Sequence, residues 1–203
     1  RINPIPFLFK EVAEKKFVYD VGNMHTLQLD EFHRHSTRTY ATAAPLKVER
    51  IAEDKAFRTA DMIVAITNSM MRAIKERFGV EEERVEVIPD GVNTDLFKSE
   101  NTLSEEPIVV YEGSVAPFRG IETLLESFRI VRKRVKNAKL LIVGGCDEAY
   151  YEDLLEYVHK MGLSSLDVEF TGYVPYIKVP DMLSEARVAI SPIPPLETYK
   201  MST

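Results

Sequence analysis

The sequence contains no tryptophan, a single cysteine, and no apolar run near the roughly 20 residues that a membrane-spanning helix requires. Because that cysteine, Cys146, has no internal partner for a disulfide, nothing in the composition points to an oxidising compartment, and we expect a cytoplasmic protein. Basic residues are not in excess either, since the net charge is −6. A partner bound mainly through a phosphate backbone is therefore not expected, which argues against nucleic acid.

The chain is long enough for one large domain or two small ones, with 203 residues of which 45% are hydrophobic. It begins at Arg1 without an initiator methionine and stops at Thr203 soon after a strand-like run. We therefore expect both ends to be cuts in a longer sequence.

Short runs rich in β-branched residues alternate with longer stretches of helical period, which predicts an α/β fold with parallel sheets. The predicted strands are 15–21, 61–67, 84–89, 107–113, 138–145, 167–174 and 187–192. The polar stretch 98–106 lacks periodicity and is predicted to be a linker between two such units. Ligands of parallel sheets bind beyond the carboxyl ends of the strands, so the site is expected in the loops there.

Apolar residues at helical spacing predict the buried faces of the connecting helices. The predicted buried positions are Val48, Ile51, Ala52, Ala56 and Ala60, then Ile121, Leu124, Leu125, Phe128, Val131 and Val135, then Leu154, Leu155, Val158 and Met161. Asn68 and Asp147 are predicted N-caps, and Gly79 is predicted to end a helix in the left-handed conformation.

The segment YEGSVAPFRG carries the residue types of an anion site. Gly113 ends a buried strand and permits close approach to the backbone, while Arg119 and Gly120 precede a predicted helix. A guanidinium beside the free N–H groups of a helix N-terminus suits phosphate oxygens. The same residues also fit a surface arginine that follows a turn glycine.

The segment LIVGGCDE resembles a phosphate loop but has neither a dinucleotide-binding nor a P-loop fingerprint. Gly144 and Gly145 are therefore interpreted as a tight exit from the strand. No cation adjoins Cys146, so a reactive thiolate is not expected there.

Two further groups have candidate chemistry. Glu31, His33 and His35 would project ligands to one face if the segment were extended, but without supporting partners we expect surface residues and no metal. Glu197 follows a proline-rich strand exit, where a carboxylate could bind a vicinal diol such as a ribose or could be a solvated loop residue.

The order of these motifs resembles that of the family 4 glycosyltransferases. The segments that carry the resemblance run from about Val48 to the end of the chain: ADMIVAITNSMMRAIKERFGVEEERVEVIPDGVNTDLF, VVYEGSVAPFRGIETLLESF, AKLLIVGG and VEFTGYVPYIKVPDMLSEARVAISP. Their ordered agreement is specific to the family, although it does not identify a substrate.

The resemblance implies the GT-B fold, in which two Rossmann-like domains each have a parallel sheet. Residues 1–97 would be the C-terminal part of an incomplete, acceptor-side N-terminal domain. Residues 98–106 would be the linker, and 107–203 an incomplete nucleotide-sugar domain. The segment PDGVNTDLF would cross between the domains, with Gly91 permitting the turn and Phe97 burying its ring.

The resemblance also implies roles for individual residues. The family's two diphosphate-binding cations align with Ser114, where the charge is lost, and with Arg119, where it is kept. The segment Gly172, Tyr173 and Val174 aligns with the backbone that meets the nucleotide base. Gly113, Gly120, Gly144 and Gly145 belong to the same donor site.

Two alignments remain open. Glu197 lies near the first carboxylate of the family's E-x7-E pattern, where its register is not fixed, and the resemblance gives it a catalytic role beside Arg119. On the acceptor side, either Asn23 or His25 could replace the family's histidine.

The function implied by the resemblance is transfer of a sugar from a nucleoside-diphosphate sugar, for example a UDP-sugar, to an acceptor hydroxyl with retention. No cofactor or metal is expected beyond this donor. The acceptor would be a carbohydrate or a lipid-linked molecule, and peripheral membrane contact through other parts of the protein stays open. Alternatives are a nucleotide-sugar epimerase or phosphorylase of the same fold, or a non-catalytic nucleotide-sugar-binding module.

Overall fold

A computed structural model describes residues 14–35, 43–98 and 104–201, with side chains described except at 32–35 and 43–46. The chain divides into two compact units: Arg1–Gly91 together with Pro195–Thr203, and Val92–Pro194. We call these unit 1 and unit 2. Among the described residues, no helix is both long and apolar enough to cross a membrane.

Unit 1 contains a parallel sheet of order β1-β2-β3. The strands are β1 (Val18–Val21), β2 (Met62–Ala65) and β3 (Val85–Val87). The helices are α1 (His25–His35) and α2 (Ala43–Thr59) between β1 and β2, α3 (Asn68–Phe78) between β2 and β3, and the short α7 (Glu197–Lys200) near the end of the chain. A 3-10 turn, Glu82–Arg84, leads into β3.

The core of unit 1 lies between this sheet and its helices. Phe57 of α2 stacks on Phe78 of α3 with ring centroids 4.0 Å apart, and Tyr19 of β1 contacts the same Phe57 ring at 5.0 Å. Burial, followed by the charge of Glu53, raises the pKa of Tyr19 to about 12. The Tyr19 phenol therefore stays neutral at physiological pH.

The predicted buried face of α2 is wrong in its first half. Val48 and Ile51 are 67% and 69% exposed, whereas Phe57 is fully buried and Glu53 is only 2% exposed. Glu53 can face inward because its carboxylate accepts hydrogen bonds from the backbone N–H of Thr26, at 3.3 Å, and from the Thr26 hydroxyl. A buried charge is tolerated when it is hydrogen-bonded, and apolar spacing does not reveal such a partner.

Two helices of unit 1 have ends that are capped by a side chain or by a glycine. The N-cap of α3 is Thr67 rather than the predicted Asn68, and its hydroxyl accepts a hydrogen bond from Met70 N at 3.0 Å. Gly79 ends α3 with φ of 65°, which confirms the predicted left-handed stop. Arg84 caps the C-terminus of α2, since its guanidinium donates to three backbone carbonyls there: Phe57 O, Arg58 O and Ala60 O.

Unit 2 contains a second parallel sheet, of order β6-β5-β4-β7. Its strands are β4 (Ile108–Glu112), β5 (Lys139–Val143), β6 (Val168–Gly172) and β7 (Val188–Ala189). Its helices are α4 (Ile121–Arg134), α5 (Glu148–Lys160) and α6 (Val179–Ser184), the last preceded by a 3-10 turn at Tyr176–Lys178. The two parallel sheets confirm the predicted fold class.

The helices α4 and α5 pack on one face of this sheet. The first four predicted positions of α4, from Ile121 to Phe128, are buried, whereas Val131 and Val135 are more than a third exposed. On α5, Leu154 and Val158 are buried, but Leu155 faces solvent. Asp147 caps α5 as predicted, because its carboxylate accepts from the backbone N–H groups of Ala149 and Tyr150.

The units differ from the predicted domain bounds at the end of the chain. The division between them falls between Gly91 and Val92, inside the segment expected to cross between domains. Gly91 has no positive φ, so this turn does not depend on the freedom of glycine. Phe97 packs on Tyr176 with ring centroids 5.4 Å apart. Pro195–Thr203 belongs to unit 1 although the sequence assigns it to the second domain, and residues 99–103 of the predicted linker lie outside the described residues.

Candidate functional site

The loops that leave β4, β5 and β6 are joined at the carboxyl end of the unit 2 sheet. Their backbones form three hydrogen bonds: Gly113 N to Val143 O at 3.0 Å, Val115 N to Gly145 O at 2.9 Å, and Gly144 N to Gly172 O at 3.2 Å. Parallel strands end at the same edge, and these bonds bring the predicted glycines of all three loops together.

Two of these glycines allow contacts that no side chain would permit. At Gly144, with φ of 153°, an added Cβ would lie 1.8 Å from the carbonyl oxygen of Gly113. At Gly120, with φ of 74°, an added Cβ would lie 2.0 Å from the carbonyl oxygen of Pro192, just after β7. Gly145 has no such requirement, because the nearest atom, the Cβ of Tyr173, would be 3.8 Å away.

The loop from β4 to α4 is strained immediately before the helix. Phe118 has a positive φ of 75°, and Gly120 follows in the left-handed region. Phe118 lies inside a tight turn that is closed by the hydrogen bond from Arg119 N to Ala116 O at 3.1 Å. A side chain in this conformation is disfavoured by about 1–3 kcal/mol, and such strain is concentrated at functional sites.

The N-terminus of α4 can receive an anion. Among the described residues no side chain caps it, since its N-cap is Gly120. Arg119, half-buried, directly precedes this cap. The first-turn carboxylate of Glu122 accepts a hydrogen bond from the Tyr150 hydroxyl at 2.7 Å. The helix dipole and the neighbouring guanidinium both favour phosphate at this end.

Tyr111 of β4 contacts the loop that follows this strand, and the sequence analysis did not identify this residue. Its ring is buried, and its hydroxyl donates to the carbonyl oxygen of Ser114 at 2.9 Å. The Ser114 side chain itself is exposed. A tyrosine inside a buried strand usually needs a partner for its hydroxyl, which is the signal that could have identified this contact.

The predicted base-binding segment follows β6. Gly172 has a positive φ of 68°, and its carbonyl accepts the hydrogen bond from Gly144 N. Tyr173 is 83% exposed, whereas Val174 is half-buried. The exposed Tyr173 ring offers a flat apolar face at the same edge as the anion site.

Glu197 lies in unit 1, unlike the other residues predicted for the donor site, which lie in unit 2. It is the first residue of α7, and its carboxylate pairs with Lys200 Nζ at 2.5 Å. Its backbone N–H donates to Oε1 of Glu31 at 2.8 Å.

The two acceptor-side candidates lie just after β1 in unit 1. Asn23 donates from Nδ2 to Gln28 Oε1 at 3.2 Å. His25 begins α1, and its Nε2 lies 3.4 Å from a carboxylate oxygen of Glu49 on α2. Of the two candidates, the histidine is therefore the one that lies beside a carboxylate.

The remaining candidates are Cys146 and two histidines of α1, His33 and His35. Burial, followed by the charge of Asp147, raises the pKa of the Cys146 thiol, which disfavours a reactive thiolate. His33 and His35 lie in helix α1, so the extended arrangement that would align them is not formed, and their side chains are outside the described residues. Within the part of the chain that the structure describes, no group of three or more His, Cys, Asp or Glu residues could hold a metal ion.

Family models match most of the sequence. The model described as Glycosyl transferases group 1 matches residues 106–203, and that of Glycosyltransferase Family 4 matches residues 20–96. A GDP-mannose-dependent alpha-(1-6)-phosphatidylinositol monomannoside mannosyltransferase of Mycobacterium tuberculosis is 34% identical over 106 residues, which is 47% of this chain and 27% of that protein. Mannosylfructose-phosphate synthase of Agrobacterium fabrum is 29% identical over 146 residues, which is 64% of this chain and 32% of that protein.

Solved structures share the architecture. Sucrose-phosphate synthase from Thermosynechococcus elongatus superimposes with a TM-score of 0.71 at 20% identity, covering 93% of this chain and 48% of the other. Anabaena HepE in complex with UDP and glucose gives 0.68 at 17% identity, covering 90% of this chain and 47% of the other. This chain thus spans less than half the length of these relatives.

Proposed function

Because the chain belongs to glycosyltransferase family 4 and has the GT-B fold, we propose that the protein transfers a sugar from a nucleoside-diphosphate sugar to an acceptor hydroxyl with retention. The observation that carries the proposal is the N-terminus of α4, which is left without a capping side chain among the described residues and is preceded by Arg119. The names of the relatives support the donor class, since one is GDP-mannose-dependent and another was solved with UDP and glucose.

In this proposal the anion site receives the donor diphosphate. Transfer breaks the bond between the anomeric carbon and the diphosphate, and it forms a glycosidic bond to the acceptor oxygen on the same face of the sugar. The acceptor hydroxyl gives up its proton, so the products are a glycoside, a nucleoside diphosphate and a proton. Negative charge builds on the diphosphate as it departs, and the guanidinium of Arg119 with the α4 N-terminus stabilises that charge.

The other strand-end residues bind the rest of the donor. The backbone of Gly172 and Val174 and the ring of Tyr173 would meet the base. Ser114 supplies no charge where the family has a cation. We propose that no metal takes part, because the cation and the helix end neutralise the diphosphate.

The test is Arg119→Ala in the full-length protein. We expect roughly a hundredfold loss of turnover, since a preorganised donor to a developing charge has about that effect. Arg119→Lys should lie between wild type and Arg119→Ala, because lysine keeps the charge but loses the forked donor set. Arg129→Ala, which removes an exposed arginine further along α4, is the matched control and should leave turnover unchanged.

Product analysis separates the alternatives. Wild-type turnover in Arg119→Ala would contradict the assigned role. An epimerised donor formed without an acceptor would indicate an epimerase instead of a transferase. A reaction that requires inorganic phosphate would indicate a phosphorylase. Calorimetry with UDP, GDP and ADP tests nucleotide binding directly, and absence of heat with all three would exclude the donor site.

A further inference from the structure

The C-terminal end of α4 and the residues just after it are made of only two kinds of residue. From Ile130 to Lys136 the sequence reads IVRKRVK, which is four cations and three β-branched aliphatic residues. No acidic residue occurs from 127 to 138, although the whole chain has a net charge of −6. Positive charge is therefore concentrated at this end of the helix.

The aliphatic side chains of this segment face solvent rather than the core. Ile130 is 54% exposed, and Val131 and Val135 are each more than a third exposed. Cations at a helix C-terminus are stabilised by the helix dipole, which would account for the charges alone. The dipole gives no reason, however, for three exposed aliphatic side chains among the cations. An exposed apolar surface bordered by charge is typical of an interaction site.

Three of the four cations are exposed and have no side-chain partner within the part of the chain that the structure describes: Lys133, Arg134 and Lys136. The fourth, Arg132, is half-buried and pairs with Asp167 at 2.6 Å. Residues three and four apart are neighbours on a helix, so Lys133 and Arg134 lie beside Ile130 on its outward face.

The ion pair of Arg132 brings another exposed apolar residue to the same end of unit 2. Asp167 ends the loop between α5 and β6, and Leu166, directly before it, is 79% exposed. We call the surface formed by the exposed members of this group the basic–aliphatic patch. Its residues are Ile130, Val131, Lys133, Arg134, Val135, Lys136 and Leu166.

The patch lies at the edge of the sheet opposite the strand-end loops. Helix α4 begins after the carboxyl end of β4 and ends before the amino end of β5, so its two ends lie at opposite edges of the parallel sheet. Its 14 residues separate those ends by about 20 Å. A partner bound to the patch therefore leaves the candidate anion site uncovered.

Helix α2 of unit 1 also exposes two aliphatic residues, but it lacks this pattern of charge. Val48 and Ile51 are more than half exposed. The arginine between them, Arg50, is paired with Asp30, and the adjacent Glu49 is acidic. Charges of both signs therefore surround these aliphatic residues, and the comparison gives a matched control for the patch.

A surface of cations and aliphatic groups suits an anionic lipid bilayer better than other polyanions. Lipid headgroups supply negative charge for the cations, and the acyl region beneath them receives aliphatic side chains. A nucleic acid has no such apolar layer, and single strands are bound by stacking on aromatic rings, which the segment from 130 to 136 lacks.

We propose that the basic–aliphatic patch binds the surface of a membrane that contains anionic lipids, with its cations at the level of the headgroups and Ile130 inserted between them. Each cation near such a surface strengthens binding about fivefold, so the three unpaired cations together give roughly a hundredfold. Binding of this strength is reversible. It does not depend on the proposed function, because the patch contains none of the donor-site residues.

The test is co-sedimentation of the full-length protein with two kinds of vesicle: phosphatidylcholine alone, and phosphatidylcholine with about 30% phosphatidylserine. Wild type should bind the anionic vesicles and not the neutral ones. The triple variant Lys133→Ala, Arg134→Ala, Lys136→Ala should bind the anionic vesicles roughly a hundredfold more weakly. Raising the salt concentration from about 0.1 M to about 0.5 M should release the wild-type protein.

Two matched controls separate the patch from net charge and from general hydrophobicity. Lys47→Ala, Arg72→Ala, Arg77→Ala removes three exposed cations of unit 1 and should bind as wild type does. Ile130→Ser should weaken binding about fivefold, because the half-exposed side chain loses its burial among the headgroups. Ile51→Ser, at the exposed aliphatic position on α2, should leave binding unchanged. Far-UV circular dichroism checks that each variant is folded.

Several results would overturn the membrane contact. They are absence of binding to anionic vesicles, equal binding to neutral and anionic vesicles, an equal loss in the two triple variants, and an equal loss in Ile130→Ser and Ile51→Ser. Release by inorganic phosphate or glycerophosphoserine at constant ionic strength would indicate a site for a free anion instead. Binding to polyglutamate without binding to anionic vesicles would indicate an acidic protein partner and would refute the lipid surface.

Discussion

Replacing Gly144 by alanine is the sharpest test of the strand-end loops. The new Cβ would lie 1.8 Å from the carbonyl oxygen of Gly113 and 2.8 Å from its carbonyl carbon, distances that Cβ atoms essentially never show. Both are backbone atoms, so no side chain can rotate away. One of the two loops must move, and the hydrogen bond from Gly113 N to Val143 O is the first to be strained.

The expected loss of stability has two parts. Forcing extra volume into a packed position is unfavourable by about 1–3 kcal/mol. The positive φ at this position adds about 1–3 kcal/mol for a residue with a side chain. With a urea m-value of roughly 1–3 kcal/mol/M, the midpoint of the unit 2 transition should fall by about 1–2 M.

Urea unfolding followed by far-UV circular dichroism measures this shift, with the transitions of the two units fitted separately. Gly145→Ala is the control on the adjacent residue, because its Cβ would be in ordinary contact at 3.8 Å from the Cβ of Tyr173. Its midpoint should remain near that of wild type. If Gly144→Ala unfolds at the same urea concentration as Gly145→Ala, the close approach of the β4 and β5 loops is refuted.

Two further predictions concern stability away from this edge. Arg84→Ala should lower the free energy of unfolding of unit 1 by about 1–3 kcal/mol, since three carbonyl oxygens at the end of α2 lose their donor; an unchanged urea midpoint would contradict the cap. Asp167 on unit 2 has a lowered pKa: burial alone would raise it, but hydrogen bonds from Ser164 and the ion pair with Arg132 outweigh burial. A carboxyl with a lowered folded-state pKa stabilises above its unfolded pKa, and this contribution is lost as pH falls through the folded value. Asp167→Asn should therefore destabilise at pH 7 and have little effect near the acid limit of folding, and an equal effect at both pH values would exclude the charge as the cause.

The sequence was sufficient for the parts of the fold that depend on neighbours along the chain. Runs of β-branched residues predicted the strands, and their alternation with helices predicted parallel pairing. The caps at Gly79 and Asp147 were also predictable, because their chemistry is complete within a few residues. Where two polar residues compete for one cap, as at Thr67 and Asn68, the local sequence does not decide between them.

The orientation of α2 could not be predicted in the same way. Apolar spacing placed Val48 and Ile51 inward, yet they are exposed. Glu53 is buried instead, and its carboxylate accepts a hydrogen bond from Thr26 N. Such a choice depends on a hydrogen bond formed only after folding. Hydrophobic periodicity assumes that charged residues face water, and it fails at each position where the fold supplies a partner.

The glycine-rich loops were predictable as a group but not in their detail. The rule that parallel strands end at one edge places Gly113, Gly144 and Gly172 in neighbouring loops. It does not show that Gly144 faces a carbonyl oxygen whereas Gly145 tolerates a methyl group, because that depends on the path of another loop. The positive φ of Phe118 likewise has no signature in its own residue type.

Glu31 and Glu53 are two buried glutamates whose burial could not be predicted from the sequence. In the sequence both are ordinary helical glutamates, and in the structure both are buried acceptors of a backbone N–H and a threonine hydroxyl. They differ in where the partner lies along the chain. A short separation ties two adjacent helices and needs no explanation beyond stability. The partners of Glu31 are Glu197 and Thr198, which are 166 and 167 residues away along the chain. Neither partner leaves a sign in the apolar periodicity of the helix, so neither glutamate could be predicted to face inward.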